Sequence, residues 1–161
     1  MAAKRSAGIL LFRRDGSAPE LLLAHPGGPY WAKRDAGAWT IPKGEIEPGE
    51  ETRACALREL GEELGPVPEL APEQLIELGE IRQKSGKTVT AWAAEGEFDP
   101  ARLDSTPFPL EWPPRSGREQ QFPEVDRAEW FGAERAREKI LPAQVPFIDR
   151  LLEHLEGAGE S

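Results

Sequence analysis

Cysteine is almost missing from this chain: Cys55 stands alone among 161 residues, which excludes an intramolecular disulfide and fits a reducing, cytoplasmic compartment. A chain of this length is about one average domain and buries roughly two-thirds of the surface its unfolded form exposes, so no covalent staple is needed. Cys55 itself reads as a small core residue. Long apolar runs are missing too. The run between Lys4-Arg5 and Arg13-Arg14 is too short for a signal-peptide core and far too short to span a bilayer, so no membrane association is expected. Positive charge is in deficit, with 20 Lys and Arg against 29 Asp and Glu and a formal net charge of −9. Non-specific binding of a nucleic-acid polymer depends on Lys and Arg releasing counterions from phosphates, and this balance argues against it. An anionic small molecule would meet the same repulsion unless carboxylate-held divalent cations reversed the local field.

No internal repeat, low-complexity block or linker divides the chain, and we expect one domain over residues 1–156 with a frayed tail at 157–161. Residues 5–14 and 20–25 are Ile- and Leu-rich runs separated by Arg14-Asp15-Gly16-Ser17, turn chemistry that predicts a hairpin. His25-Pro26-Gly27-Gly28-Pro29 excludes regular structure, and residues 37–42 read as a short strand stopped by Pro42, followed by a glycine-bearing loop over 43–51. Residues 52–64 form the best-marked helix, with Thr52 as N-cap, Gly65 in the left-handed C-terminal position and Pro66 forbidding continuation. Strands are expected at 74–83 and 88–94 around a Ser85-Gly86-Lys87 turn. Residues 98–126, dense in proline and charge, read mostly as loop with one short strand near 105–111. A strand end at 127–131, a short helix at 133–139 and a final helix at 145–155 follow, the last with Phe147, Ile148, Leu151, Leu152 and Leu155 on one side.

At about 100° per residue, Leu57, Leu60 and Leu64 gather on one face of the 52–64 helix and Glu59, Glu62 and Glu63 on the opposite one. Like charges at helical spacing cost only about 0.2–0.5 kcal/mol per exposed pair, so a solvated acidic face is a sufficient account of the helix by itself. Its neighbours suggest more. Gly44 lets backbone approach a metal or phosphate closely because it lacks a side chain. Arg58 can pair with Glu50, or with Glu62 one turn on, fixing loop and carboxylates by charge-assisted hydrogen bonds. Hard oxygen ligands at this density suit Mg2+ or Mn2+ and not zinc. Gly61, inside the helix, costs about 1 kcal/mol relative to alanine, which a purely structural surface helix has no evident reason to carry.

Gly44, Glu50, Arg58, Glu59, Leu60, Glu62, Glu63 and Gly65 match in order and spacing the box of the Nudix hydrolases, which this stretch resembles; Pro66 departs, standing where that pattern has an aliphatic residue. The Trp39-Thr40-Ile41-Pro42-Lys43-Gly44 approach to the box and the late segment 124–131 are similar to the family's plan. The resemblance implies an α/β/α sandwich, with a mixed sheet between the box helix and the C-terminal helix. It also implies hydrolysis of a diphosphate linkage in a nucleotide by water activated on Mg2+, with Mn2+ as a substitute and no covalent intermediate. Glu59, Glu62, Glu63 and the Gly44 carbonyl would hold the metal, Arg58 would join the catalytic set, and Glu50 and Gly65 would frame the box. The general base would be a box glutamate or one in a later loop, where Glu124 stands; Glu111 and Glu119 are weaker rivals.

Substrate choice lies outside the box. Lys43 gives Pro-Lys-Gly, which resembles dinucleoside polyphosphate and diphosphoinositol hydrolases, whereas many nucleoside triphosphate hydrolases show Pro-Gly-Gly. Against that, no tyrosine follows the box where dinucleoside polyphosphate hydrolases commonly carry one, the only tyrosine being Tyr30. Trp31 and Trp112 are candidates to stack a base and Arg115 and Arg118 to clamp phosphate, with core packing and solvated loop charge as the plainer roles. His25 and His154 read as structural or exposed. The expected substrate is a nucleoside triphosphate or dinucleoside polyphosphate, with ADP-ribose or a nucleotide sugar as the alternative. A nucleotide-sensing module on the same fold is the rival from another class, and the intact Glu59, Glu62 and Glu63 set argues against it. A homodimer is left open.

Overall fold

Strand β1 (Arg5–Asp15) is the spine of the sheet in the computed structural model, which describes residues 4–15, 18–67 and 69–159. Along one edge it runs parallel to β5 (Thr88–Glu95), from Arg5 opposite Thr88 to Phe12 opposite Glu95. Its other edge is shared. The short β3 (Lys43–Glu45) pairs antiparallel with residues 6–8, and β2 (Ala18–Pro26) with residues 12–15. β4 (Ile76–Arg82) lies outside β5, and β8 (Val125–Gly132) outside β2, so the order is β4-β5-β1-β2-β8 with β3 beside β1. One parallel pairing among antiparallel ones makes the sheet mixed.

Both faces are covered, as the strand period of two requires. Ala7, Ile9 and Leu11 of β1 face α1 (Thr52–Leu64), whose Cys55, Ala56, Leu60 and Leu64 are buried against them. Leu10 and Phe12 face the other way, toward α2 (Ala133–Lys139) and α3 (Val145–Gly159), where Ala136, Phe147, Ile148 and Leu151 close the second core. Full burial of a Leu, Ile or Phe side chain contributes roughly 1.5–3 kcal/mol, and two such cores on one sheet make the expected α/β/α sandwich. Among the described residues, no helix is long and apolar enough to cross a membrane.

Several local expectations need correction. Residues 37–42 form no strand: Thr40 bridges Ala24, Trp39 bridges Ile140, and the Trp39 ring is buried with its indole N–H donated to Asp35. Lys43–Glu45, read as loop, is β3; three mostly polar residues show no alternation to detect. Glu51, not Thr52, stands at the N-cap of α1 and makes no side-chain cap there. Residues 98–126 hold a whole hairpin, β6 (Pro107–Glu111) with β7 (Glu119–Pro123), apart from the main sheet. A two-stranded ribbon has only edge strands, which is where proline is tolerated. The last helix runs to Gly159, past the expected start of fraying. Residues 160 and 161 lie outside the described residues, as do Gly16 and Ser17 of the first expected turn.

Candidate active site

Helix α1 crosses β3 so closely that the Glu59 carboxylate lies on Gly44: a Cβ there would stand 2.0 Å from Glu59 Cδ. Only glycine allows that approach. The Lys43 backbone N–H donates to Glu63 Oε1 at 3.3 Å, so β3 touches two carboxylates of the helix. Glu63 is therefore not opposite the leucines. At roughly 100° per residue it lies only about 60° around the helix from Leu60, and it is partly buried while Glu62 is exposed. Gly61 has nothing within 4 Å of where a Cβ would be, so no close packing explains this glycine.

Arg58 ties the arrangement together. Its Nε and Nη2 donate to the two oxygens of Glu50 at 2.7 and 2.9 Å, and Nη1 donates to Glu59 Oε1 at 2.9 Å and Glu62 Oε2 at 3.0 Å. The expected choice between Glu50 and Glu62 is thus met by both. Hydrogen bonds from Arg58, then one from the Glu47 backbone N–H, pull the Glu50 carboxyl down to about 2, and the Arg58 guanidinium is pushed up, first by Glu50. Cys55 is raised to about 11, mainly by burial, which makes it an inert core thiol.

The end of α1 brings in the later loop. Leu64 C=O accepts from Asp104 N–H at 3.0 Å and Glu62 C=O from Thr106 N–H at 2.8 Å; Thr106 C=O in turn accepts from Glu124 N–H at 3.1 Å. Orphan carbonyls at a helix C-terminus are thereby satisfied, and the same bonds hold Glu124 beside the box carboxylates. Gly65, at φ +89°, makes room: a Cβ would come 2.9 Å from Asp104.

These elements enclose a cleft of about 490 Å³ whose walls carry Glu45, Glu59, Glu62, Glu63 and Glu124 together with Lys43 and Lys87. Burial pushes Glu59, Glu124 and Glu63 upward, the last to about 8, with Lys43 opposing the shift at Glu124 and Glu63 and Arg58 opposing it at Glu59. Lys43 is pushed down, chiefly by burial and against the pull of Glu63. Lys87 escaped sequence reading, because one lysine after a Ser-Gly turn has no signature of its own. Trp31, Arg115 and Arg118 stand outside the lining: Trp31 lies under the Arg34 guanidinium at 5.4 Å, and both arginines sit in the turn of the β6–β7 hairpin. Glu111 and Glu119 face each other at the far end of that hairpin, away from its cleft-lining roots. His25 is fully buried, with Nδ1 2.7 Å from Asp126 and Nε2 2.7 Å from the Arg34 carbonyl, and His154 is exposed, the two placements expected of them.

The donor set suits a hard divalent cation. Five carboxylates share a cleft in which three, Glu59, Glu63 and Glu124, are held above their ordinary range by burial, and Gly44 lies directly beside Glu59. Among the described residues no three acidic, histidine or cysteine side chains converge into a finished cage, and Arg58 pairs with Glu59 and Glu62.

A mixed sheet between helices, with a glutamate-rich helix lying on a glycine-bearing strand, defines the class to which this protein conforms. The chain belongs to the NUDIX domain family, whose model matches residues 2–151. Nudix hydrolases generally use a divalent metal ion. Over 106 residues the chain is 36% identical to the asymmetrical bis(5'-nucleosyl)-tetraphosphatase of Rattus norvegicus, a match covering 58% of this chain and 65% of the rat protein. It thus spans just under two-thirds of that relative's length. The fold is similar to that of a C. elegans Ap4A hydrolase in a binary complex, at a TM-score of 0.63 and 22% identity over 94% of this chain and 98% of that one. It is also similar to the NUDIX domain of Shewanella oneidensis NrtR complexed with ADP ribose, at a TM-score of 0.65 and 17% identity, covering 96% and 90%.

Proposed function

We propose that this protein hydrolyses a diphosphate linkage in a nucleotide, either a dinucleoside polyphosphate or a nucleoside triphosphate. Mg2+, or Mn2+ in its place, would be held by Glu59, Glu62, Glu63 and the Gly44 carbonyl. The observation that carries this reading is the cleft in which five glutamates, Glu45 among them, meet two lysines. Lys43 and Lys87 supply the cationic side for phosphate oxygens that the overall charge of −9 would otherwise repel. When bound, the ion would offset charge on the non-bridging oxygens and lower the pKa of a coordinated water.

The chain's own residues do the rest. Arg58 orients Glu59 and Glu62 and is itself fixed by its two bonds to Glu50. Glu124 accepts the proton of the attacking water: it lines the cleft, its backbone is fixed through Thr106, and burial raises its proton affinity toward the working pH. Gly65 and Glu50 frame the box. Trp31, Arg115 and Arg118 would meet only the outer part of a substrate. Lys43 in Pro-Lys-Gly and the similarity to a bis(5'-nucleosyl)-tetraphosphatase favour the dinucleoside polyphosphate. The lone, buried cysteine favours a cytoplasmic setting.

The test is product release from a panel of dinucleoside polyphosphates, nucleoside triphosphates, ADP-ribose and nucleotide sugars, each with Mg2+ or Mn2+ and a chelator control. Metal-dependent turnover led by the dinucleoside compounds is the expected result. Turnover led by ADP-ribose would overturn the substrate assignment, and binding without turnover would replace the enzyme by a sensing module.

A further inference from the structure

The β6–β7 hairpin and residues 27–34 both spring from the cleft: Thr106 and Glu124 at the roots of the hairpin, and Pro26 at the root of the loop, line its walls. They meet again further out. Gly27 N–H donates to the Glu124 carbonyl at 2.9 Å, a Cβ on Gly28 would come 3.2 Å from Phe108, and Tyr30 packs edge-on against Trp112 with ring centroids 5.2 Å apart and planes at 80°. Tyr30 is 60% exposed, an unusual cost for a large ring that has Trp112 beside it. Four residues of chain reach at most about 14 Å, so this corner lies within one phosphate chain's length of the cleft wall at Pro26.

The same two segments carry exposed Lys33, Arg34, Arg115 and Arg118. None of the four makes an ion pair with a described carboxylate, in a protein whose acidic residues pair with Arg13, Arg14, Arg58, Arg137 and Lys139 elsewhere. Cations without a carboxylate partner beside an exposed aromatic corner, Arg34 among them over the Trp31 ring, fit a ligand that joins phosphates to a flat ring. Two of the polar side chains at the corner are partly engaged within it: Gln120 Nε2 donates to the Trp112 carbonyl at 2.7 Å, and Glu111 Oε1 accepts from Arg115 N–H at 2.9 Å.

We propose that the Tyr30–Trp112 corner is the seat of a nucleobase, gripped by its π-face and not read by its edges, with the free cations of the two segments guiding the phosphates toward the cleft. This rests on the reading of the cleft as a nucleotide site and adds where the base goes and how it is chosen. Two rings near a right angle offer one face for offset stacking and one edge for a T-shaped contact, and stacking tolerates any base because every base has a π-face. The enzyme is therefore base-tolerant, and its selectivity is for nucleotides over bare polyphosphates.

The test is equilibrium binding to the full chain in the presence of a chelator, so that no turnover intervenes, with diadenosine tetraphosphate, diuridine tetraphosphate and inorganic tripolyphosphate as probes. Tyr30→Ala should weaken both dinucleotides roughly ten- to hundredfold, with a far smaller change for tripolyphosphate, and Tyr30→Phe should behave like wild type because the ring is kept. Equal losses on all three probes, no loss on the dinucleotides, or a Phe variant as weak as the Ala variant would each overturn the seat. So would tighter binding of a 5'-triphosphate oligonucleotide than of either dinucleotide. If wild type hydrolyses nothing in the substrate panel, the catalytic reading fails, while these binding ratios still decide the corner.

Discussion

At Gly44 the close approach of β3 to Glu59 separates activity from stability. An alanine Cβ there would fall 2.0 Å from Glu59 Cδ, the far end of a flexible side chain, so the carboxylate can swing away at little cost to the fold. Displacing a reacting group by about 1 Å can cost roughly a hundredfold in rate. We expect Gly44→Ala to lower kcat by about that factor while Tm stays near wild type, and full activity with a displaced Glu59 would remove Glu59 from the site. Gly61 is the opposite case: with open space around its Cβ position, Gly61→Ala should gain about 1 kcal/mol in urea unfolding. An unchanged or lower midpoint would show that the glycine answers to something else. Both glycines look meaningful in sequence, Gly61 because it sits inside a helix and Gly44 because it lacks a side chain beside the box. Only the neighbour across the gap distinguishes them, and Glu59 is 15 positions away from Gly44, which no local pattern encodes.

Among elements, α1 was the most legible, because Gly65-Pro66 marks its end and a leucine spacing marks its buried side. What stayed hidden were the elements defined by partners: β3 exists through its pairing with β1, and the β6–β7 hairpin through pairing across a proline-rich sequence. Glu124 was found from the family's plan, whereas its position depends on the backbone bonds from Thr106 to Glu62 and from Glu124 to Thr106, long-range contacts. The Glu50–Arg58 pair that joins the 43–51 segment to α1 has a testable pH signature. Glu50 has a folded-state pKa lowered from 4.5 to about 2, first by Arg58. A depressed carboxyl adds stability above its unfolded value and loses it as the pH falls through the folded one, so the window is 4.5 down to about 2. Wild type should therefore exceed Glu50→Gln in stability at neutral pH, with the difference closing across that window in urea titrations. A constant difference from neutral pH down to about 2 would mean that the pair contributes packing and not charge.

For the whole molecule, the clustered carboxylates work against the fold when no cation is present. Glu63 is raised from 4.5 to about 8, mainly by burial, so between those values the folded chain holds a proton that the unfolded chain has released. Stability must then fall as the pH rises through that window, the reverse of the Glu50 effect, and Glu59 and Glu124 shift in the same direction. Lys43, pushed down by burial, acts in the other sense toward its ordinary 10.5. A ligand that binds only the folded state adds RT ln(1 + [L]/Kd), about 2.7 kcal/mol at a hundredfold excess over Kd. A divalent cation among these carboxylates should add most where they are ionised. In chelator, Tm should decline from pH 5 toward pH 8 and decline less in Glu63→Gln; saturating Mg2+ should flatten the wild-type slope and raise Tm most at the alkaline end of the window set by 4.5 and about 8. Parallel slopes with and without the ion would place the metal elsewhere. A flat metal-free profile would show that Glu63 ionises at its ordinary value and that this cleft is not built to hold a cation.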